Sequence, residues 1–313
     1  MKHYSVMKNE CIENLNIKSD GIYVDATLGY AGHSSEILKR LTSGMLYAFD
    51  NDEQAIKEST KTLSNISNNF KIFHSNFVNM KNVLQNEGIT KVDGILFDLG
   101  FSSPQIDDAT RGFSFMRDGN LDMRMDQSKD FSAYNVVNEY EEEKLKEIFF
   151  RYGEEKTSAA IARKIVESRK EKKIETTLEL VEVIKNAVGL KYFNLNHPER
   201  NIFQAIRIEV NDELKVLESV LPDAIELLNT GGRICVITFH SLEDRITKNI
   251  FKENASVNDI FKGLPDIPDE YKPKIKLINK KPIEATEEEL KENSRSKSAK
   301  LRVIERVWYY GKE

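Results

Sequence analysis

Two glycines and two aspartates are spaced in this chain as a nucleotide-sized ligand requires. Gly29 and Gly32 lie in the stretch Ile22 to Ser34 (IYVDATLGYAGHS), where strand-like residues run into a tight turn and then into the apolar-periodic segment Ile37, Leu38, Leu41. Glycine lets the backbone approach a ligand, and a helix start offers unpaired N–H groups. Asp50 follows 21 residues after Gly29, at the end of the apolar run Gly44 to Asp50. At that separation in an open α/β sheet an acid reaches the paired hydroxyls of a ribose; a helix N-cap acid favoured by the dipole is the other reading. Asp98 stands near the end of a further apolar run, Val92 to Leu99. A carboxylate there suits a cationic group such as the ammonium of a methionine moiety and opposes a pyrophosphate. The turn also lacks the third glycine of the dinucleotide fingerprint. Together these features favour S-adenosylmethionine over NAD.

Such residues need a sheet to hold them, and the chain predicts one. Strand and helix patterns alternate four times by residue 100, with strands at Ile22 to Asp25, Gly44 to Asp50, Phe70 to His74 and Val92 to Leu99, as in a doubly wound parallel sheet. From about Asp107 to Asn201 strand patterning stops, and Glu141 to Arg151, Glu154 to Arg169 and Thr176 to Val188 predict helices. Phe203 to Leu228 then predicts one long amphipathic helix ended by Thr230, Gly231 and Gly232. Arg233 to Phe239 resumes the sheet, while Lys274 to Ile278 and Leu301 to Tyr309 predict an antiparallel end. The expected organisation is a Rossmann-like domain formed by 1–106 and 202–313, with an all-α insertion at 107–201 for substrate recognition.

Composition excludes other classes. The chain has 313 residues, 40% hydrophobic and 31% charged, and no apolar run approaches the roughly 20 residues of a membrane span. The first fifteen residues do not read as a signal peptide. Cys11 and Cys235 form no motif and the five histidines show no paired spacing, so no metal site is expected and a reducing cytoplasm fits. A net charge of -5 argues against coating nucleic acid by bulk electrostatics. Two segments run against that average: Ile161 to Lys173 and Lys291 to Arg306 each carry six Lys or Arg against two Glu. Either is a solvated face or a patch for an anionic partner.

Asp98, Leu99, Gly100 and Phe101 resemble the acidic-or-amide, Pro, Pro, aromatic tetrapeptide of enzymes that methylate exocyclic amines, with both prolines replaced. In such sites acceptors on the N–H groups localise a lone pair that is conjugated with the ring, and the aromatic residue stacks on an extruded base. A wider match follows in seven ordered blocks: HYSVM (His3 to Met7), DATLGYAGHS (Asp25 to Ser34), FDND (Phe49 to Asp52), the long block Asp93 to Asp126, FQAIRIEVNDEL (Phe203 to Leu214), ITFHSLEDR (Ile237 to Arg245) and SAKLRVIER (Ser298 to Arg306). On these blocks the chain resembles the MraW-like family of small-subunit ribosomal RNA cytosine N4-methyltransferases, which carry a Rossmann-like class I methyltransferase sheet.

The resemblance implies cofactor contacts at Ala31, Gly32, His33, Asp50, Phe77, Asp98 and Gln105, a catalytic group of Asp98, Phe101 and Ser102, and 16S ribosomal RNA in the small subunit as partner. Arg111, Arg117 and Arg124, set among Phe113, Phe115 and methionines, suggest a lid that positions the target base and phosphates. His240 follows the fifth main strand and points at the same crevice. Arg295, Lys297, Lys300 and Arg302, with Arg163 to Lys173, are the candidates for RNA backbone contacts. The chain departs from the family at Ala31, which stands where glycine is usual, and at Ser5 and Ser294, where prolines are frequent. Two rivals remain at this stage: an NAD-dependent dehydrogenase, and a non-catalytic assembly factor retaining the fold.

Overall fold

The computed structural model describes residues 5–101, 103–257, 259–261, 267–268 and 271–307. Its helices are α1 (Lys8–Leu15), α2 (Gly32–Leu38), α3 (Glu53–Ser64), α4 (Met80–Asn86), α5 (Ser103–Asp107), α6 (Ala133–Glu139), α7 (Glu142–Arg151), α8 (Ser158–Glu171), α9 (Thr177–Val188), α10 (Leu190–Asn196), α11 (Pro198–Asn211), α12 (Glu213–Leu227), α13 (Ser241–Asn254) and α14 (Glu287–Glu292). The strands are β1 (Ile22–Asp25), β2 (Met45–Asp50), β3 (Phe70–His74), β4 (Val92–Asp98), β5 (Leu228–Thr238), β6 (Ile275–Leu277), β7 (Ile283–Glu284) and β8 (Lys300–Arg306).

These elements divide into two compact units, 1–100 with 214–313, and 101–213. The insertion expected from the sequence ran from 107 to 201.

In the first unit one sheet runs β3-β2-β1-β4-β5-β8-β6, with β7 added to β8. β1 to β5 are parallel, and β8 pairs antiparallel with both β5 and β6. The order reverses between β1 and β4, which makes the carboxyl ends of these strands the ligand crevice of such a sheet. Side chains alternate between faces, as pleating demands. Val24, Phe49, Ile95, Phe97, Ile234 and Val236 pack on one face with Leu217, Leu221 and Phe251. Tyr23, Leu46, Ala48, Leu96, Cys235 and Ile237 pack on the other with Cys11, Ile37 and Leu63. Burial on both faces explains why these strands read as continuous apolar runs.

The second unit has its own core, built from Val136, Leu145, Phe149, Ile161, Leu180, Ile184, Ile202 and Ile206. Thr176 caps α9 through a capping box with Glu179, as its sequence suggests.

Two expectations need correction. The segment 203–228 is not one helix: Asp212 adopts a left-handed backbone (φ 52°) that ends α11, and α12 starts afresh at Glu213. Periodicity on both sides hides a break made by one residue. Gly231 and Gly232 do not cap a helix either. α12 passes directly into β5, whose register shifts from Val92↔Leu228 to Gly94↔Arg233, so the glycines sit in a bulge, Gly231 at φ 79°.

Candidate active site

The turn after β1 is fixed by its own side chains. Asp25 accepts hydrogen bonds from Thr27 N (3.1 Å) and Ser34 Oγ (2.6 Å) and is 1% exposed. Thr27 Oγ1 accepts from the Asp98 backbone N–H (2.7 Å), tying the ends of β1 and β4. Ser59 Oγ donates to Gly29 O (2.7 Å). Gly29 and Ala31 both lie in the left-handed region, at φ 48° and 61°. For Ala31 this costs about 1–2 kcal/mol that a glycine avoids. At Gly32 the turn is close to the N-terminal segment: a Cβ there would fall 1.7 Å from Ser5 Oγ, which would have to rotate away.

Asp50 ends β2 with both carboxylate oxygens engaged. Oδ2 accepts from Gly29 N (2.7 Å) and Oδ1 from Asp52 N (2.8 Å), while Asp52 itself caps α3. Each oxygen keeps a second lone pair for a ligand hydroxyl. Burial pushes the Asp50 carboxyl up to about 6, against the lowering effect of these two N–H groups.

Asp98 is the outlier of the group. Its Oδ1 is buried without a hydrogen-bond partner, and its Oδ2 lies 3.6 Å from His33 Nδ1. Burial, followed by the charges of Asp25, Glu243 and Glu289, drives this carboxyl well above its usual range. His33 is buried with Nε2 3.0 Å from Val6 O, a contact that needs the proton on Nε2. Its Nδ1 faces the Asp98 carboxyl. A carboxyl beside a glycine turn, with one buried oxygen that no described residue donates to, matches a ligand that brings its own ammonium. The residues present therefore fit a methionine moiety at Asp98 and a ribose at Asp50.

Phe77 begins the turn after β3 and packs edge-on against Phe97 at 5.7 Å, half-buried. Gln105 is buried on α5, in the second unit. In that unit Phe101 stacks on Phe113 at 5.5 Å, and the Arg207 guanidinium stands 4.6 Å from its ring centre. Arg207 is held by two bonds to Glu213 (2.8 and 3.0 Å). Arg207 was not among the expected site residues, although it lies within the block Phe203 to Leu214. Ser102 falls outside the described residues.

Several cations expected at RNA are committed within the fold. Arg111 is buried, donating to the carbonyls of Arg124 and Met125. Arg124 forks onto Asp122 (2.7 and 2.8 Å), and Arg302 forks onto Asp244 (2.7 and 3.0 Å). In the segment Arg163 to Lys173, Arg169 donates to the carbonyls of Val137 and Tyr140, and Lys172 pairs with Glu179. These groups therefore already have partners in the fold, which sequence spacing does not show. Arg117 and Lys297 are exposed, and Arg295 and Lys300 are half-buried. His240 starts α13 with Nε2 3.1 Å from Glu243 Oε1.

An antiparallel strand between β5 and the last parallel-type edge separates this sheet from the dinucleotide-binding order, and the glycine turn and strand-end acids give it a nucleoside-and-ammonium site. The fold and site thus define an α/β enzyme of the methyltransferase class. The MraW methylase family model matches residues 1–307, and the chain belongs to that family. Among its relatives, the ribosomal RNA small subunit methyltransferase H of Exiguobacterium sibiricum is 53% identical over 307 residues, covering 98% of each chain. Similar solved structures include an rRNA methylase from Streptococcus thermophilus (TM-score 0.43, 12% identity, 96% of this chain and 94% of that one) and TrmN from Thermus thermophilus (TM-score 0.42, 11% identity, 96% and 48%). Membership makes the chain an S-adenosylmethionine-dependent methyltransferase, as the seven sequence blocks imply, and removes the dehydrogenase alternative. Among the described residues no helix is long and apolar enough to cross a membrane.

Proposed function

We propose that this protein methylates small-subunit ribosomal RNA in the cytoplasm, at the exocyclic N4 of a cytidine in the P-site decoding region. The observation that carries the reading is the buried, partnerless Asp98 Oδ1 at the end of β4, beside the glycine turn. The family and the 53% identical relative supply the RNA. When bound, S-adenosylmethionine supplies an electrophilic methyl group that an amine takes by direct displacement.

The chain's own residues bind and orient. Asp98 receives the methionine ammonium, Asp50 the ribose hydroxyls, and Phe77 walls the adenine. Ala31, Gly32 and His33 form the floor of the turn; Gln105, in the second unit, is a cofactor contact on the sequence resemblance alone. The catalytic roles proposed from the sequence motif are those of Asp98 and Phe101, with Ser102 outside the described residues. Arg117, Arg295, Lys297, Lys300 and His240 contact the RNA. Catalysis here is mostly positioning, since holding two reactants in line removes the entropic part of the barrier. No metal takes part in this scheme.

The test is to incubate the protein with labelled S-adenosylmethionine and undermodified small subunits, then map the product by mass spectrometry. Label on N4 of one decoding-region cytidine is expected. Label confined to another base, or none on RNA, overturns the proposal.

A further inference from the structure

On the face of the sheet covered by α13, a hollow of about 100 Å³ opens between that helix and the β6–β8 edge. Phe251, Leu277 and Val303 line it with apolar surface, and Lys248, Lys252, Lys280 and Arg302 line it with positive charge. All three lysines are exposed, and among the described residues their ammonium groups have no ion-pair partner. Other lysines of the chain pair with neighbouring acids, as Lys39 with Glu36, Lys61 with Glu58 and Lys81 with Asp223 and Glu226.

Arg302 makes the hollow more than a surface patch. It is 8% exposed, and Asp244 fixes its Nε and Nη2, so Nη1 keeps its donor capacity in a set position. Asn279, also in the lining, is fully committed to the backbone of Lys281, Leu301 and Val303, which makes that wall rigid. Four cations and one neutralising carboxylate leave a local charge of +3, and the volume suits a phosphate group rather than a whole nucleoside.

The place of the hollow in the sheet gives it an occupant. Lys300 and Arg302 are two residues apart on β8, hence on one face, and Lys300 pairs with Thr238 at the carboxyl end of β5. One basic row therefore leads from the strand ends that carry the candidate active site to the hollow, over about 7 Å of strand.

We infer that this hollow is a docking site for a backbone phosphate of the RNA substrate, held by Lys248, Lys252, Lys280 and Arg302. The inference rests on the ribosomal RNA reading above. Phosphate contacts of this kind position a nucleic acid without reading its sequence.

The experiment compares the full chain with a Lys248→Gln/Lys252→Gln/Lys280→Gln variant and with a control variant of equal charge change, Lys39→Gln/Lys61→Gln/Lys144→Gln. Affinity for protein-free 16S RNA and for undermodified small subunits is measured against salt, and cofactor affinity by calorimetry. The hollow variant is expected to weaken RNA binding and to lower the salt slope by about 0.7, for one lost single-strand phosphate contact. Its cofactor affinity is expected to be unchanged, and the control to match the wild type. Equal RNA affinity and slope in all three proteins overturns the docking site while leaving methylation by the wild type intact. Loss of binding to the subunit but not to protein-free RNA also overturns it, because the contact is then to a ribosomal protein. Failure of the wild type to methylate any RNA sinks the underlying function instead.

Discussion

Glu155 is a buried carboxylate and Asp98 a half-buried one with a buried Oδ1, in different units of one chain, and they are treated in opposite ways. Glu155, 2% exposed, accepts from Thr157 N and Oγ1, Tyr192 Oη and Asn201 Nδ2, at 2.7–2.9 Å. Burial pushes its pKa up, but these donors outweigh burial and leave it lowered. Asp98 has an Oδ1 with no donor at all, and its pKa is driven up. A buried acid that only has to hold a fold is satisfied by that fold. An acid left short of donors marks a place where a ligand completes the set.

The sharpest way to break this contrast is to remove each acid in turn. Glu155→Ala strands four donors, and chemical denaturation should show a loss of about 3–4 kcal/mol at roughly 1 kcal/mol per hydrogen bond. Calorimetric cofactor affinity should not change at a temperature where the variant stays folded. Asp98→Asn is expected to do the reverse, keeping or slightly raising stability while costing about 1.5–3 kcal/mol of cofactor binding, the range for hydrogen bonds to charged groups. If Asp98→Asn unfolds the protein as readily as Glu155→Ala, Asp98 is a structural acid and the contrast fails.

The two regions also differ in how far the chain announced them. β1, β2, β4 and β5 were legible because strands covered on both faces are nearly continuous apolar runs, and the acids at their ends followed from topology. α9 was legible as the helical stretch Thr176 to Val188. The break at Asp212 was not, since one left-handed residue leaves the 3.6-residue pattern almost untouched. Nor was the commitment of Arg302, whose partner Asp244 lies 58 residues away, or of Arg111, whose acceptors are backbone carbonyls with no side-chain signature.

Protonation offers a milder probe of the same site. The Asp50 carboxyl, raised to about 6, binds protons more readily folded than unfolded. Its contribution to stability is therefore full below the unfolded value near 3.9 and is lost as pH rises through about 6. A ribose hydroxyl prefers the ionised form as acceptor, so cofactor affinity should rise while stability falls. Below the folded pKa the slope is at most about tenfold, or 1.4 kcal/mol, per pH unit. Calorimetry from pH 5 to 7 on the wild type and on Asp50→Asn is the check. A flat wild-type profile would falsify the assignment of Asp50 to the cofactor.

The smallest expected effect belongs to Ala31, the one cofactor-turn position where the chain departs from glycine. Its left-handed backbone stores about 1–2 kcal/mol that Ala31→Gly releases. Two costs oppose the gain. The Ala31 methyl is fully buried, and removing it forfeits about 0.8 kcal/mol. Glycine also makes the unfolded chain more flexible, at about 0.4–1 kcal/mol. The terms nearly cancel, so the unfolding free energy should move by less than about 0.5 kcal/mol. Cofactor affinity has no such cancellation, because a freer turn can close on a ligand through conformations that alanine excludes, and a slight increase is expected in titration calorimetry. A large loss of stability would mean instead that the turn is held by packing of the Ala31 methyl. The satisfied-fold and unsatisfied-site distinction would then stop at the strand ends and not extend into the turn.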